Sequence, residues 1–352
     1  MSREFSADEL SRLAEFLHAH GICGARLTGG QLAVRPIGDG HSNLTYLVSA
    51  GDRRVVVRRP PPPPLPPGAN DVLREARLIS ALAGSAVPVP EVLATAPAGD
   101  VLDVPCYVMN YVAGPVVTEV TPAALSSPAE RRRIGEALVD TLVTLHAVDW
   151  RAAGLADLGR PGGFNERHLR RMGRLVADDE GSPPPEFAEV GAWLAAHVPP
   201  EAGASIVHND YRIGNVILCP QPPARIAAVL DWELATLGDP LFDLGYFLAC
   251  YPAAGEPLTP TGAMSAAALE AGYPSRDELA RRYAAATGQA LTSLDWYITL
   301  AQWKLAVLYE YGRRRAVSGG DQYYADPALV RSFLDAAHRS AGLGPMPLTS
   351  SR

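Results

Sequence analysis

The chain has 352 residues, 47% of them hydrophobic and 20% charged, with a formal net charge of −7. That length exceeds one small core and suits two lobes or domains, and the acidic balance without a long basic run sets aside nucleic acid and anionic membrane as partners. No uninterrupted apolar stretch of about 18 residues appears, and Met1 to Leu17 reads as a polar amphipathic helix, so neither a membrane span nor a secretory signal is expected.

The four cysteines, Cys23, Cys106, Cys219 and Cys250, are scattered and form no C-x-x-C pair. A zinc or redox site has little support, and the expectation is reduced thiols in a cytoplasmic protein. Lysine plus arginine total 31, yet Lys304 is the only lysine. Arginine can therefore stand here where related chains carry lysine.

Residues 5–20 have helical character. Leu32 to Ile37 is extended, Gly38-Asp-Gly-His-Ser-Asn43 interrupts it, and Leu44–Val48 and Arg54–Arg58 follow as two β-branched strands joined at Ala50-Gly51-Asp52. The run from Pro60 to Pro67 excludes helix and central strand, because proline lacks the N–H and fixes φ, and reads as a stiff loop. Asn70 and Asp71 are good helix caps, and Val72, Ala76, Ile79 and Leu82 recur at helical spacing behind them. Pro105 to Val112 is a strand that ends at Gly114-Pro115.

Beyond Gly114 the pattern turns helical, with an apolar stripe of Ile134, Leu138, Leu142 and Leu145. Helices are expected near 164–178, 185–197, 241–250, 276–287, 293–311 and 327–341, with short strands at 205–207, 216–218 and 226–230. The division that results is a β-rich lobe over 1–113 and a larger helical lobe over 114–352.

The sharpest chemical signal is Ile206-Val-His-Asn-Asp-Tyr-Arg-Ile-Gly-Asn-Val-Ile-Leu218, a polar loop between two apolar strands. His208, Asp210 and Asn215 stand in the H-x-D-x-x-x-x-N spacing of a kinase catalytic loop. A carboxylate there can meet an attacking hydroxyl, and a carboxamide five residues on can turn back to ligate a metal on the phosphates. Soon after, the apolar run Ile226–Leu230 ends in Asp231-Trp-Glu233, where a kinase places its Mg²⁺ carboxylate.

With Leu237-Gly-Asp-Pro240 and Asp243-Leu-Gly245 downstream, these motifs resemble the aminoglycoside-phosphotransferase-like superfamily. They are most similar to its phosphotransferase enzyme family branch, which includes the kinase-like domains fused to some acyl-CoA dehydrogenases. The resemblance runs from about Val34 to about Ala249, and the C-terminal hundred residues match mainly in helical character. It implies an α+β, bilobal protein-kinase-like fold and a Mg²⁺-dependent small-molecule kinase using ATP or GTP.

The same resemblance implies the remaining assignments. Asp210 is the catalytic base, and Asn215 and Asp231 are the metal ligands. Gly38, Gly40, His41, Ser42 and Asn43 form the loop over the nucleotide phosphates. A Rossmann fingerprint is disfavoured there, because Asn43 replaces the third glycine and a strand follows. Arg58 takes the place of the phosphate-pairing lysine, a departure from V-A-I-K, and alternation along the strand does not choose between it and Arg59. Glu75 is the ion-pair partner of Arg58, and Met109 to Val112, including Tyr111, is the hinge that binds an adenine edge. His208, Asp239 and Asp243 are assigned structural roles.

The acceptor class is a small-molecule hydroxyl. From Pro252 onward there are 9 acidic and 10 basic residues, so the acidic excess that suits a polycationic antibiotic is absent. The dehydrogenase-fused relatives suggest a hydroxylated acyl compound or its CoA thioester. The replaced lysine, Asn43 and the missing D-F-G glycine support a second reading, a nucleotide-binding pseudokinase acting as regulator or scaffold. The sequence does not give an oligomeric state.

Overall fold

The computed structural model describes residues 5–23, 27–38, 43–61, 70–317 and 319–344. Two compact units result: Met1–Ala113 with Ala227–Glu233, and Gly114–Ile226 with Leu234–Arg352. The first is rich in strands and the second in helices, an α+β architecture. The short segment Ala227–Glu233, which the sequence reading groups with the helical lobe, clusters with the first unit.

In the first unit, helix α1 (Ala7–Ala19) opens on a capping box in which Ser6 and Glu9 satisfy each other's backbone N–H. Strands β1 (Leu32–Pro36), β2 (Leu44–Ala50) and β3 (Arg53–Arg59) precede helix α2 (Val72–Leu82), which Asp71 caps by accepting from the Arg74 N–H. Strands β4 (Val92–Ala96) and β5 (Cys106–Asn110) complete an antiparallel sheet in the order β1-β2-β3-β5-β4. Strand alternation puts Val55 and Val57 on one face, where with Val48 and Val108 they join Leu13, Ala14 and Leu17 of α1 in one buried cluster. Burying each of these valine and leucine side chains contributes about 1.5–3 kcal/mol. Val56 and Arg58 fall on the opposite face.

The sequence reading does not single out β4. Its run Val92-Leu-Ala-Thr-Ala96 is short and alanine-rich, and its pairing with β5 supplies what local propensity does not.

The second unit begins with α3 (Pro128–His146), α4 (Phe164–Val176), α5 (Pro185–Ala196), β6 (Ser205–Val207) and β7 (Val216–Leu218). Strand β8 (Ile226–Val229) carries the chain to Asp231 in the first unit. Then come β9 (Thr236–Gly238), which pairs antiparallel with β6, and α6 (Pro240–Cys250), α7 (Pro260–Ala263), α8 (Arg276–Thr287), α9 (Leu294–Val317) and α10 (Pro327–Ser340).

Helix α9 is the organising element. Helices α4, α5, α6 and α10 all pack on it, and its buried residues include Trp296, Tyr297, Leu300, Trp303 and Lys304. Helices α6 and α9 approach closely at Gly245, where an added Cβ would lie 2.5 Å from the Tyr297 Cβ. That contact explains the glycine in Asp243-Leu-Gly245. Among the described residues no helix is long and apolar enough to cross a membrane.

Candidate active site

The 208–215 loop leaves β6 buried and is fixed from below by α6. Asp243 is fully buried, and its carboxylate accepts the backbone N–H of His208 at 2.5 Å and of Asn209 at 2.8 Å. Asp239 caps the same helix by accepting from the Leu241 N–H, and it also accepts from the Tyr297 hydroxyl and Asn165 Nδ2. His208 is itself buried, and its Nδ1 accepts the Asp210 N–H at 3.2 Å. The Tyr211 hydroxyl donates to the Leu138 carbonyl of α3 at 2.8 Å. Asn209 adopts a left-handed backbone with φ of 66°, a conformation Asn tolerates better than most residues.

These contacts present Asp210 with its side chain 24% exposed. Tyr246 of α6 donates its hydroxyl to Asp210 Oδ1 at 2.7 Å. Asn215 Nδ2 donates to both the Asp210 carbonyl and Oδ2, each at 2.8 Å. The Arg212 Nε stands 3.7 Å from Oδ1. Burial, then the nearby Asp210 charge, holds the Tyr246 phenol well above its ordinary pKa, so it remains a donor. A carboxylate fixed by two hydrogen-bond donors, with a guanidinium nearby, and still partly open can receive a proton from an incoming hydroxyl.

A second cluster lies in the first unit. Arg58 is 8% exposed. Its Nε donates to Glu75 Oε2 at 3.0 Å, its Nη1 to Thr45 Oγ1 at 2.9 Å and its Nη2 to Asp231 Oδ1 at 2.8 Å. Glu233 Oε2 is 3.6 Å from Nη2. The geometry separates Arg58 from Arg59, which alternation cannot do. Arg59 points to the other face, donating to the Tyr46 hydroxyl with its guanidinium over the Phe5 ring.

Three carboxylates thus surround one guanidinium. Burial pushes the Glu75 carboxyl up to about 7 against the pull of Arg58, with Glu233 and Asp231 adding to the rise. Arg58 is held above its ordinary range, its own burial outweighed by the same carboxylates. Asp231 is 40% exposed and has a left-handed φ of 61°. The indole of Trp232 is buried behind it and donates to the Val229 carbonyl.

Of the phosphate-loop residues, Gly38 has a φ of 78° that favours glycine. Asn43 is buried, donating to Glu233 at 2.8 Å and accepting from Asn70 at 3.0 Å. Gly40, His41 and Ser42 lie outside the described residues, as does the proline run beyond Pro61. Met109 is buried at the end of β5, and Tyr111 just past it lies under the Arg54 guanidinium, 4.5 Å from ring centroid to charge.

Among the described residues no three His, Cys, Asp or Glu side chains are grouped to hold a metal ion. Asn215 and Asp231 each offer a hard oxygen, which fits Mg²⁺ and not a soft metal. Asn215 spends its Nδ2 on Asp210, which leaves Oδ1 as its acceptor.

Sequence reasoning missed three contributors. Tyr246 stands one helical turn beyond Asp243, a spacing that places both on one face of α6. Glu233 lies in the short turn that follows β8, two residues past Asp231. Lys304 donates from α9 to the Asn209 carbonyl at 2.6 Å; its only trace in the sequence is that it is the single lysine.

Residues 33–297 match the phosphotransferase enzyme family. The chain is 31% identical over 301 residues to acyl-CoA dehydrogenase family member 10 of Mus musculus, which covers 85% of this chain but 28% of that protein. It therefore spans less than a third of that relative's length. A solved structure from Ralstonia eutropha JMP134, ascribed to the aminoglycoside phosphotransferases, superposes with a TM-score of 0.77 at 29% identity, covering 94% of this chain and 98% of that one. Aminoglycoside phosphotransferase APH(4)-Ia, solved with AMP-PNP and hygromycin B, gives a TM-score of 0.58 at 17% identity over 94% of this chain and 98% of that one, a likeness of fold alone.

Proposed function

The chain belongs to the phosphotransferase enzyme family, and from that premise we propose that it moves the γ-phosphoryl group of ATP or GTP to a hydroxyl of a small molecule. The observation that carries this reading is the Asp210 carboxylate, braced by Tyr246 and Asn215 and still open on one side. Asp210 orients the acceptor hydroxyl and takes its proton. The acceptor oxygen forms the new bond to phosphorus as the bond from phosphorus to the β-phosphate oxygen breaks, and the electron pair leaves on the nucleoside diphosphate.

Arg58 pairs with the nucleotide phosphates, steered by Glu75, and the loop of Gly38, Gly40, His41, Ser42 and Asn43 covers them. The Met109–Val112 backbone, with Tyr111, takes the base edge. Asn215 and Asp231 would hold Mg²⁺, whose chemistry is to neutralise charge on the phosphate oxygens. Phosphoryl transfer depends mostly on positioning and charge neutralisation, so these few groups suffice.

For the acceptor we favour a hydroxylated acyl compound or its CoA thioester. Support comes from the likeness to an acyl-CoA dehydrogenase family member and from the 9 acidic against 10 basic residues beyond Pro252, which do not suit a polycation.

One observation favours a second reading, a nucleotide-binding pseudokinase. Arg58 Nη2 is already bonded to Asp231, the carboxylate assigned to the metal. The test for both is Mg²⁺-dependent consumption of ATP and GTP against pooled hydroxyacyl-CoAs, aminoglycosides, macrolides and choline-like alcohols, with Asp210→Ala as control. Turnover stimulated by one pool and lost in the variant establishes the kinase and its acceptor class. Tight nucleotide binding with no Asp210-dependent turnover favours the pseudokinase, and absence of nucleotide binding sinks both.

A further inference from the structure

Lys304 is the only lysine among 31 lysine and arginine residues, and it sits 3% exposed in the middle of α9. An ammonium taken from water is costly unless charge and hydrogen bonds are returned to it. Here they come from the loop that carries Asp210. Nζ donates to the Asn209 carbonyl at 2.6 Å. It also lies 4.5 Å from the centroid of the Tyr246 ring and 5.3 Å from that of Phe242, within cation–π range.

Asn209 is thereby gripped at both backbone groups, with the Asp243 anion on its N–H and the Lys304 cation on its C=O. Its side chain is tied as well, donating to the Leu234 carbonyl at 2.8 Å. A left-handed non-glycine residue needs such over-determination to persist. Asp210 is the next residue, and the tyrosine under the ammonium is the one that donates to Asp210 Oδ1. The ammonium therefore touches the base's setting twice. A compact ammonium can occupy this place where a planar, wider guanidinium would not, a reason for the one lysine in an arginine-rich chain.

We propose that Lys304 is a positioning residue for phosphoryl transfer, holding Asn209 and Tyr246 so that the Asp210 carboxylate keeps its aim. This rests on the reading of Asp210 as the base. The charged and titratable groups facing the ammonium are Asp210, Asp243 and Cys250, which favour its charge, and Arg171, which opposes it. His168 of α4 also faces it and is held neutral by burial and by the Lys304 charge. Burial outweighs the carboxylates and brings the amine down to about 8.

The test measures Mg²⁺-dependent ADP release from MgATP alone, with water as acceptor. Lys304→Met should lower kcat by about 10- to 100-fold, the scale of a slightly misplaced catalytic group, with KM for MgATP within about twofold. Lys304→Arg should not restore the rate. In an Asp210→Asn background the same Lys304→Met change should alter the residual rate by less than about threefold, because its route of action is gone. Wild-type-like kcat in Lys304→Met, or an equal loss in both backgrounds, overturns the inference.

If Lys304→Met does not fold, lysine-selective ¹³C labelling of the otherwise unaltered chain gives one side-chain signal. Its titration midpoint should lie near 8 and fall in Asp210→Asn. A midpoint near the free-lysine value of about 10.4, or one indifferent to Asp210, overturns the inference. No Asp210-dependent turnover in the wild-type chain, with water or with any of the acceptor pools, would remove Asp210 as base and this inference with it, whereas wild-type release that survives Lys304→Met removes the inference alone.

Discussion

The two charged clusters are built on opposite plans. Around Arg58 the charges meet directly, with Glu75, Asp231 and Glu233 all within 3.6 Å of one guanidinium, and negative charge is in excess. Around Asn209 the charges meet through a backbone, with Asp243 on the N–H and Lys304 on the carbonyl, and the two balance. A cluster with surplus carboxylates suits a place that takes up cations during its work. A balanced clamp suits a place whose shape must not change. Under the proposed function, the first handles metal and phosphate and the second aims the base.

Breaking the clamp should have the largest effect. Asp243→Ala leaves the buried N–H groups of His208 and Asn209 without acceptors and removes the carboxylate facing Lys304 and His146. Losing one partner of a buried charged network costs about 3–5 kcal/mol, and this site should fall at the upper end of that range. Urea unfolding should show it as a lowered midpoint with an unchanged slope. A loss below about 1 kcal/mol would mean that the loop does not depend on α6.

Breaking the other cluster should cost less, because two of its carboxylates reach solvent: Asp231 is 40% and Glu233 19% exposed. Arg58→Met strands Glu75, which is 1% exposed, and should destabilise by about 3 kcal/mol. The double variant Arg58→Met with Glu75→Met should recover most of that loss, since no buried charge is left unpaired. A double variant no more stable than the single one would show that packing, and not charge, sets the cost.

The sequence reveals the clusters in proportion to how local they are. His208, Asp210 and Asn215 lie within one loop, and their spacing alone marks them. Tyr246 and Lys304 reach that loop from 36 and 95 residues away in their hydrogen-bonded pairs, a distance no motif spans. The choice of Arg58 over Arg59 is invisible to alternation because both arginines are buried. It is made by what covers each face, Glu75 on one side and Phe5 with Tyr46 on the other. The longer helices were legible from apolar periodicity and caps, whereas β4 and β9 are short and become strands through their pairing partners.

The smallest effect is also the one that tests the charge surplus most directly. Glu75 is raised from its ordinary value to about 7 chiefly by burial. Between the unfolded value and about 7 the folded state then binds more protons than the unfolded state. Stability contributed by the protonated carboxyl is present below the unfolded pKa and is lost as pH rises through the folded one. Glu75→Gln cannot titrate, so it should gain on the wild type as pH rises. From about pH 5.5 to about pH 6.5 the gain should be about 1 kcal/mol, because one full proton over one pH unit is worth about 1.4 kcal/mol. Parallel thermal or urea unfolding of the two proteins across that window isolates the difference from every other titrating group. A flat difference would mean that Arg58 fully compensates Glu75 and that the surplus charge rests on Asp231 and Glu233, the two carboxylates open to solvent.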